Sequence, residues 1–348
     1  MKILKKILIT GVNGFIGSHL VDFIIDKDVE IYGIERPSQI YRNLSYYLKN
    51  KLSFKKDDKR DFFGEPIKIP TDNDKFILLE CDIKNASLLE KIITKVTPNI
   101  IFHFAAQPNI IPSWEDPVDT IETNVIGTLN IFEPIKKNML NSRVVSACTS
   151  AEYGTTVQLN RPLKESDSLL AVHPYGISKI ATELLARQYF LNFNIEIVNL
   201  RLFNQTGIRK INDAPSDFVR KIVDIELEHS EPIIQVGNLD SYRDFTDIKD
   251  SIKAIWLTAL KGKPGETYNI CSNTKVQIRT LLEIILQFSK KKIKVIERST
   301  QKLRKTDEDI IIGDNSKIYN ELGWKPIIPL ETTLKDMYNY WLDYNKKI

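Results

Sequence analysis

Tyr175 and Lys179 stand four residues apart in HPYGISK (173–179), a spacing that puts both side chains on one face of a helix. A phenol with an ordinary pKa near 10 is only about 0.1% ionised at pH 7. A neighbouring ammonium favours the phenolate and lowers that pKa. Such a tyrosine takes a proton from a sugar or alcohol hydroxyl, or returns one. Upstream, SACTSAEYG (146–154) places Thr149 and Ser150 at the end of an apolar run. A hydroxyl at the C-terminal edge of a parallel strand can hold a substrate oxygen beside the tyrosine.

A second group lies near the start of the chain. ITGVNGFIG (9–17) spaces Gly11, Gly14 and Gly17 as G-x-x-G-x-x-G, behind one apolar run and ahead of an amphipathic one. Glycines in a strand–turn–helix context allow a tight turn and the close approach of a pyrophosphate, and the helix N-terminus offers free N–H groups. A purely structural turn uses glycines in the same way, so the surroundings decide. Asp82, in ECDI (80–83), follows a strand and can hydrogen-bond adenine. HFAAQ (103–107) ends another strand with Ala105 and Ala106, small enough for close backbone approach. Glu35 follows the second strand, where a carboxylate accepts the ribose hydroxyl bonds of NAD and repels a 2′-phosphate; Arg36 beside it would instead clasp that phosphate. The pair leans to NAD and leaves NADP open. Glycine loop, strand-end hydroxyl and Y-x-x-x-K come in the order that one hydride-transfer site needs.

The elements that must position these groups follow from periodicity. Strands are expected at 5–10, 29–34, 75–81, 99–105, 143–150 and 196–203, with helices at 15–27, 117–138 and 175–190. Pro134 should kink or end the second of these helices. Near-continuous apolar strands alternating with helices indicate a parallel sheet covered on both faces, a Rossmann-type doubly wound α/β fold. Residues 1–205 form the dinucleotide-binding domain, with 240–262 returning to it. Residues 206–348 form a smaller α/β substrate lobe, with helices near 215–229, 247–261 and 279–289 and strands at PIIQVG and ETYNIC. The polar, aromatic segment 37–74 is longer than a usual crossover and leaves open an extra helix or an oligomer contact.

Composition narrows the remaining classes. The 348 residues carry a net charge of +4, and the basic cluster around Lys55, Lys56, Lys59 and Arg60 is interrupted by Asp57, Asp58 and Asp61, which argues against a nucleic-acid partner. Three scattered cysteines, Cys81, Cys148 and Cys271, form no disulfide framework, and the four histidines lack zinc-ligand spacing, so no metal is expected. No apolar stretch approaches transmembrane length. A soluble, cytoplasmic protein with no membrane partner is expected.

Over essentially its whole length the chain resembles the extended short-chain dehydrogenase/reductases that modify nucleotide sugars, in ITGVNGFIGSHL, HFAAQ, TNVIGTLN, TSAEYG, PYGISK, RLFNQTG, VGNLDSYRDFTDIKD, YNICS and GDNSKIYNELGWKP. VGNL…RDFTD with LGW.P is most similar to the branch of GDP-mannose 4,6-dehydratase and GDP-4-keto-6-deoxy-mannose reductase. The resemblance implies further cofactor contacts at Asn13, Phe15, Ile16, Ile83, Phe104, Gln107 and Asn124, besides Tyr175 and Lys179. It implies a GDP-sugar held between the lobes by Ser113, Ser150, Asn204, Arg243 and Arg304. It also implies a homodimer through helices 117–138 and 175–190, with a tetramer as the alternative. In the dehydratase pattern a carboxylate two residues before the tyrosine of the YG pair removes the C5 proton. Here that position is Ala151. Glu152 comes one residue later, facing the other way in an extended strand unless a bulge turns it inward. The expected reaction is therefore C4 hydride transfer, most simply reduction of a GDP-4-keto-6-deoxy sugar, with Tyr175 as proton donor, Lys179 as its tuner and Thr149 as orienter. A 4,6-dehydratase using Glu152, a C4 epimerase that retains NAD, and a non-catalytic nucleotide-binding member of the fold are the alternatives.

Overall fold

Lys5–Thr10 forms β1, whose last four residues are completely buried, and Phe15–Ile24 forms α1 directly behind the glycine loop. A computed structural model of the chain describes residues 5–37, 41–48, 67–69, 73–159, 161–297 and 310–346. The first unit continues with β2 (Val29–Glu35), β3 (Ile67–Ile69), β4 (Phe76–Glu80), α2 (Ala86–Val96), β5 (Ile100–His103), α3 (Ile110–Glu115), α4 (Pro117–Ile121), α5 (Gly127–Lys137), β6 (Arg143–Thr149), α6 (Pro174–Phe193) and β7 (Ile197–Leu202). The second unit contains β8 (Asn204–Thr206), α7 (Ala214–Glu226), β9 (Ile233–Gln235), β10 (Tyr242–Arg243) and β11 (Phe245–Asp247), from which α8 (Ile248–Lys261) leads back to β12 (Thr267–Ile270). β13 (Val276–Gln277), α9 (Ile278–Leu286), β14 (Lys294–Ile296), α10 (Ser316–Leu322) and α11 (Leu330–Asn345) complete it.

One eight-stranded sheet runs in the order β12-β7-β6-β5-β1-β2-β4-β3. The pairs β1–β2, β1–β5, β2–β4 and β5–β6 are parallel, and β3 closes the edge antiparallel to β4. The order reverses at β1, between β2 and β5. Ligands of doubly wound sheets bind at the carboxyl ends of the strands beside such a switch point.

The first unit comprises 1–155, 169–201 and 255–268. The returning segment is thus 255–268, where the sequence had pointed to 240–262. Trp256 anchors it: its ring stacks on Phe102 (6.2 Å between centroids) and meets Phe23 edge-on (6.4 Å). Residues 156–168, expected in the first domain, belong to the second unit. Leu163 N–H donates to the Ile312 carbonyl (2.9 Å), and the Leu163 carbonyl accepts from Asn269 Nδ2 (2.8 Å). The second unit has its own core, in which Ile222 and Val223 of α7, Leu281 and Ile285 of α9, and Leu334, Met337 and Trp341 of α11 are buried together.

The helix expected over 117–138 is interrupted, though not at Pro134. Residues Glu122–Ile126 take a π-helical turn between α4 and α5, and Pro134 sits inside α5, which runs on to Lys137. Between β2 and β4, the described part of the 37–74 segment supplies a 3-10 helix, Arg42–Tyr47, and β3. No helix among the described residues is long and apolar enough to cross a membrane.

Candidate functional site

Two of the loop glycines are steric necessities. Gly11 has φ +68°, and a Cβ there would lie 2.8 Å from the Ala105 backbone nitrogen. A Cβ on Gly17 would lie 2.8 Å from Val12 Cα and collide with the Gly11 carbonyl. The glycine loop therefore nests against the end of β5 and against the first turn of α1. That turn has Gly14 as its N-cap, no side-chain cap and no acidic residue, leaving its N–H groups and partial positive charge for an anion.

Glu35, half-buried at the end of β2, accepts the Asn13 N–H (2.9 Å) at one oxygen and the Arg36 N–H (3.1 Å) at the other. Burial raises its pKa, while these two donors and the Arg36 charge pull it back. Arg36 itself is exposed. Asn43, which the sequence gave no reason to single out, locks the same loop: its side chain donates to the Asn13 carbonyl (2.8 Å) and its N–H to Asn13 Oδ1 (3.1 Å). Asp82 is half-buried after β4 and accepts the Lys84 N–H (2.9 Å).

A buried chain of hydrogen bonds joins β1, β5 and the π-turn. Thr128 Oγ1 donates to the Asn124 carbonyl at 2.5 Å, which uses its only proton. Toward His103 Nε2, 2.9 Å away, it can only accept, so the imidazole carries its hydrogen on Nε2. His103 Nδ1 then accepts from Thr10 Oγ1 (2.8 Å), which in turn accepts the Ala105 N–H (3.2 Å). The order is fixed: Ala105 N–H, Thr10, His103, Thr128, Asn124 carbonyl. Burial first, and the Lys179 charge second, push His103 down to about 3. Thr182 Oγ1 lies 3.3 Å from the same carbonyl, but its one proton goes to the Ser178 carbonyl at 2.9 Å. The Asn124 side chain accepts the Gln107 N–H (2.7 Å) and donates to the Gln107 carbonyl (3.1 Å) and to Ser178 Oγ (2.9 Å), whose own proton goes to the Tyr175 carbonyl (2.7 Å). Asn124 thus fastens the 105–107 strand end to the helix that bears Tyr175.

Tyr175 and Lys179 lie on α6. His173 caps this helix through Nδ1 (2.9 Å from the Gly176 nitrogen) and stacks parallel to the Tyr175 ring. The Thr149 hydroxyl accepts the Ala151 N–H (3.3 Å), which leaves its proton for the Tyr175 oxygen. Burial pushes Tyr175 up to about 12, with the Thr149 bond acting against it, so the phenol holds its proton at neutral pH. Lys179 is buried, its pKa lowered by burial, and its ammonium donates to the Ala147 carbonyl (2.8 Å).

Glu152 sits elsewhere. Instead of continuing as a strand or a bulge, Ser150–Glu152 forms a 3-10 turn, and the fully buried Glu152 folds back so that Oε1 accepts the Thr149 N–H (2.9 Å). Its Oε2 lies 3.6 Å from Arg201 Nε. Arg201 also grips Glu183 of α6 with two bonds (2.9 and 2.6 Å) and donates to the Tyr153 hydroxyl (2.9 Å). Burial, followed by the nearby Glu183 carboxylate, raises the Glu152 pKa well above the usual range. Cys148 Sγ and one oxygen each of Glu152 and Glu183 converge within 4.8 Å of one another, the one such grouping among the described residues, and the guanidinium of Arg201 is the cation that serves it.

The remaining sequence candidates are spread. Phe15, Ile16, Phe104 and Ala106 are half-buried around the loop and the β5 end, and Ile83 is buried against Gly127. Ser113 is buried on α3 with its hydroxyl donating to the Ile110 carbonyl (2.6 Å), and Ser150 is half-buried at the start of the 3-10 turn. In the second unit Asn204 bonds the Asp244 carbonyl (3.2 Å), and half-buried Arg243 donates to the Tyr242 carbonyl (2.9 Å). The Asp244 carboxylate accepts from Ser272, Asn273 and Gly313; burial pushes it up to about 6. Arg304 lies outside the described residues.

Residues 8–337 match the family model described as GDP-mannose 4,6 dehydratase. The chain is 24% identical to GDP-6-deoxy-D-mannose reductase of Pseudomonas aeruginosa, over 70% of this chain and 80% of the relative. It is 25% identical to GDP-mannose 4,6-dehydratase of Yersinia enterocolitica, over 96% of this chain and 93% of the relative. Among solved structures, RMD from Pseudomonas aeruginosa complexed with NADPH superposes with a TM-score of 0.78 at 20% identity, covering 98% of this chain and 99% of the other.

Proposed function

Because the chain belongs to the GDP-mannose 4,6-dehydratase family, we propose that it transfers hydride at C4 of a GDP-linked 6-deoxyhexose, in the direction of reducing GDP-4-keto-6-deoxy-mannose. The family and its relatives are NAD(P)-dependent dehydratases, reductases and epimerases acting on nucleotide sugars, and this chain is an enzyme of that kind. The observation that carries the choice of reaction is the strand end at 149–152. Thr149, Tyr175 and Lys179 form an acid with its orienter, while the position of the C5 base is Ala151 and Glu152 is bound to Thr149 and Arg201. A dehydratase needs that second base; a C4 reduction does not.

The nicotinamide cofactor would lie along the glycine loop and the ends of β2, β4 and β5, its diphosphate at the uncapped start of α1 and its adenosine ribose at Glu35, which favours NAD; Asp82 would meet the adenine. When bound, the reduced cofactor supplies the hydride. The chain's own residues do the rest: Thr149 aligns the tyrosine oxygen, and Tyr175 delivers its proton to the C4 oxygen. Asn204, Arg243, Ser113 and Ser150 are proposed to hold the GDP-sugar, and Arg243 suits its diphosphate.

A site with one acid and no second base also serves a C4 epimerase, which oxidises and re-reduces the same carbon. Exposed Val118, Ile121, Ile126, Ile177, Leu184 and Leu191 on the 117–126 segment and α6 favour a homodimer, which sedimentation at micromolar concentration would detect as a single 80-kDa-class species of two 40.1 kDa chains. The deciding assay follows NADH and NADPH consumption with GDP-4-keto-6-deoxy-mannose, beside a GDP-mannose control scored for loss of water. Consumption without dehydration supports the reductase and identifies the cofactor. Dehydration of GDP-mannose refutes it, and cofactor copurification with C4 inversion moves the reading to the epimerase.

A further inference from the structure

Glu152, Arg201 and Glu183 close a ring around the acid. The ring runs from the Tyr175 oxygen to the Thr149 hydroxyl, through the Thr149 N–H to Glu152 Oε1 (2.9 Å), across a 3.6 Å charge approach without a hydrogen bond from Oε2 to Arg201 on β7, and from Arg201 by two bonds to Glu183 (2.9 and 2.6 Å). Glu183 stands on α6 eight residues beyond Tyr175, about 12 Å along the same rigid helix. Three elements, the β6 end, β7 and α6, are therefore linked to one another by largely buried side chains. Glu152, Arg201 and Tyr153 are all at least nine-tenths buried, and the guanidinium also lies over the Tyr153 ring (5.0 Å).

We infer that Glu152 is a positioning residue: as the acceptor for the Thr149 N–H, braced by Arg201 and Glu183, it sets the Thr149 hydroxyl against Tyr175, and it removes no proton from the sugar. The inference rests on the hydride-transfer reading above. Its physical basis is that a strand-end residue leaving the sheet has an orphan N–H. Buried N–H groups require a partner, and only the carboxylate of a residue three positions on, turned back by the 3-10 geometry, reaches this one. An amide oxygen serves as well as a carboxylate oxygen for that purpose, whereas a base requires the charge.

The test uses Glu152→Gln and Glu152→Ala in the full-length protein, with kcat and KM for GDP-4-keto-6-deoxy-mannose, the Kd of the reduced nicotinamide that the wild type consumes, and hydrogen exchange at the Thr149 amide. Expected for Glu152→Gln is kcat within about threefold of wild type and a protected Thr149 amide. Expected for Glu152→Ala is a kcat lower by about tenfold to 10²-fold, an unchanged nicotinamide Kd and fast exchange at Thr149. A loss of about 10²-fold or more in Glu152→Gln with the amide still protected makes Glu152 a base and overturns the inference. So does a Glu152→Ala enzyme with wild-type kcat. If the wild type does not turn over the keto sugar, the substrate reading fails separately, and the exchange measurement decides the brace: a Thr149 amide equally protected in Glu152→Ala overturns it.

Discussion

The most quantitative consequence of this arrangement concerns His103. Its imidazole is completely enclosed and must remain neutral, because Thr128 can only accept from Nε2 and Thr10 donates to Nδ1. Its pKa of about 3 lies below the ordinary 6.5, so the unfolded chain binds the proton that the folded chain refuses. For such a group, stability is fully present above pH 6.5 and drains away as pH falls toward 3. At pH 8 the contribution is negligible. At pH 5 the unfolded state gains RT ln(1 + 10^1.5), about 2 kcal/mol, while a folded pKa of either 3 or 4 changes that figure by less than 0.1. His103→Gln keeps a donor and an acceptor but cannot titrate. Urea unfolding at pH 8 and pH 5, followed by hydrogen exchange at β1 and β5, should show wild type losing about 2 kcal/mol more than His103→Gln over that interval. Every other titrating group is common to both proteins and cancels in the difference. Equal pH dependence would mean that His103 titrates in the fold as it does outside it, and the directed chain from Ala105 to Asn124 would be wrong. A smaller loss in wild type would require an imidazolium at that position, which refutes the assignment outright.

Tyr175→Phe should lower kcat by about 10² to 10⁴-fold in steady-state reduction while leaving the reduced-nicotinamide Kd nearly unchanged, since the hydroxyl acts on the transition state. Because burial holds Tyr175 protonated, to about 12, wild-type reduction should show no fall assignable to this group below about pH 9; a fall centred near neutrality that disappears in Tyr175→Phe would contradict the acid role. Gly17→Ala sets helix propensity, a gain of about 1 kcal/mol, against a Cβ meeting backbone atoms 2.8 Å away that have no rotamer to yield. Calorimetry should therefore show a lower Tm, since overpacking against backbone costs about 1–3 kcal/mol or more, and nicotinamide affinity measured by fluorescence should fall about tenfold or more, because the loop itself must open; wild-type affinity would remove the loop from the cofactor site.

Local rules exposed the scaffold because the scaffold obeys them. β1, β2, β6 and β7 read as strands from near-continuous apolar runs, and the helix expected at 175–190 is α6, which starts at Pro174 and runs to Phe193 ahead of Asn194 in the left-handed conformation. The helix Ala86–Val96 escaped notice, although Asn85 caps it and Leu88, Leu89, Ile92, Ile93 and Val96 form its buried stripe. Its signal follows directly on the ECDI strand, and no glycine or proline separates the two. The π-turn at 122–126 could not be read from 3.6-residue periodicity, because the extra residue shifts the stripe by only part of a turn. What accompanies it is remote: the Asn124 side chain ties the turn to Gln107 and to Ser178.

Glu152 shows the limit most clearly. Alternation along a strand offered two answers, facing away or rotated in by a bulge, and both assume that the strand continues through it. The strand stops at Thr149. Once it stops, a carboxylate three residues on becomes the natural cap for the last N–H, and the cation nearest its other oxygen, Arg201 at 3.6 Å, comes from a strand 49 positions downstream. The cap itself has a local signature, the T-x-x-E capping box of Thr149 and Glu152 that strand alternation passed over; the surroundings that Arg201 and Glu183 supply from distant segments have none, whereas Tyr175 and Lys179 are fixed by one helix. The chemistry of the site was legible where one element holds two groups, and hidden where separate elements had to meet to hold one.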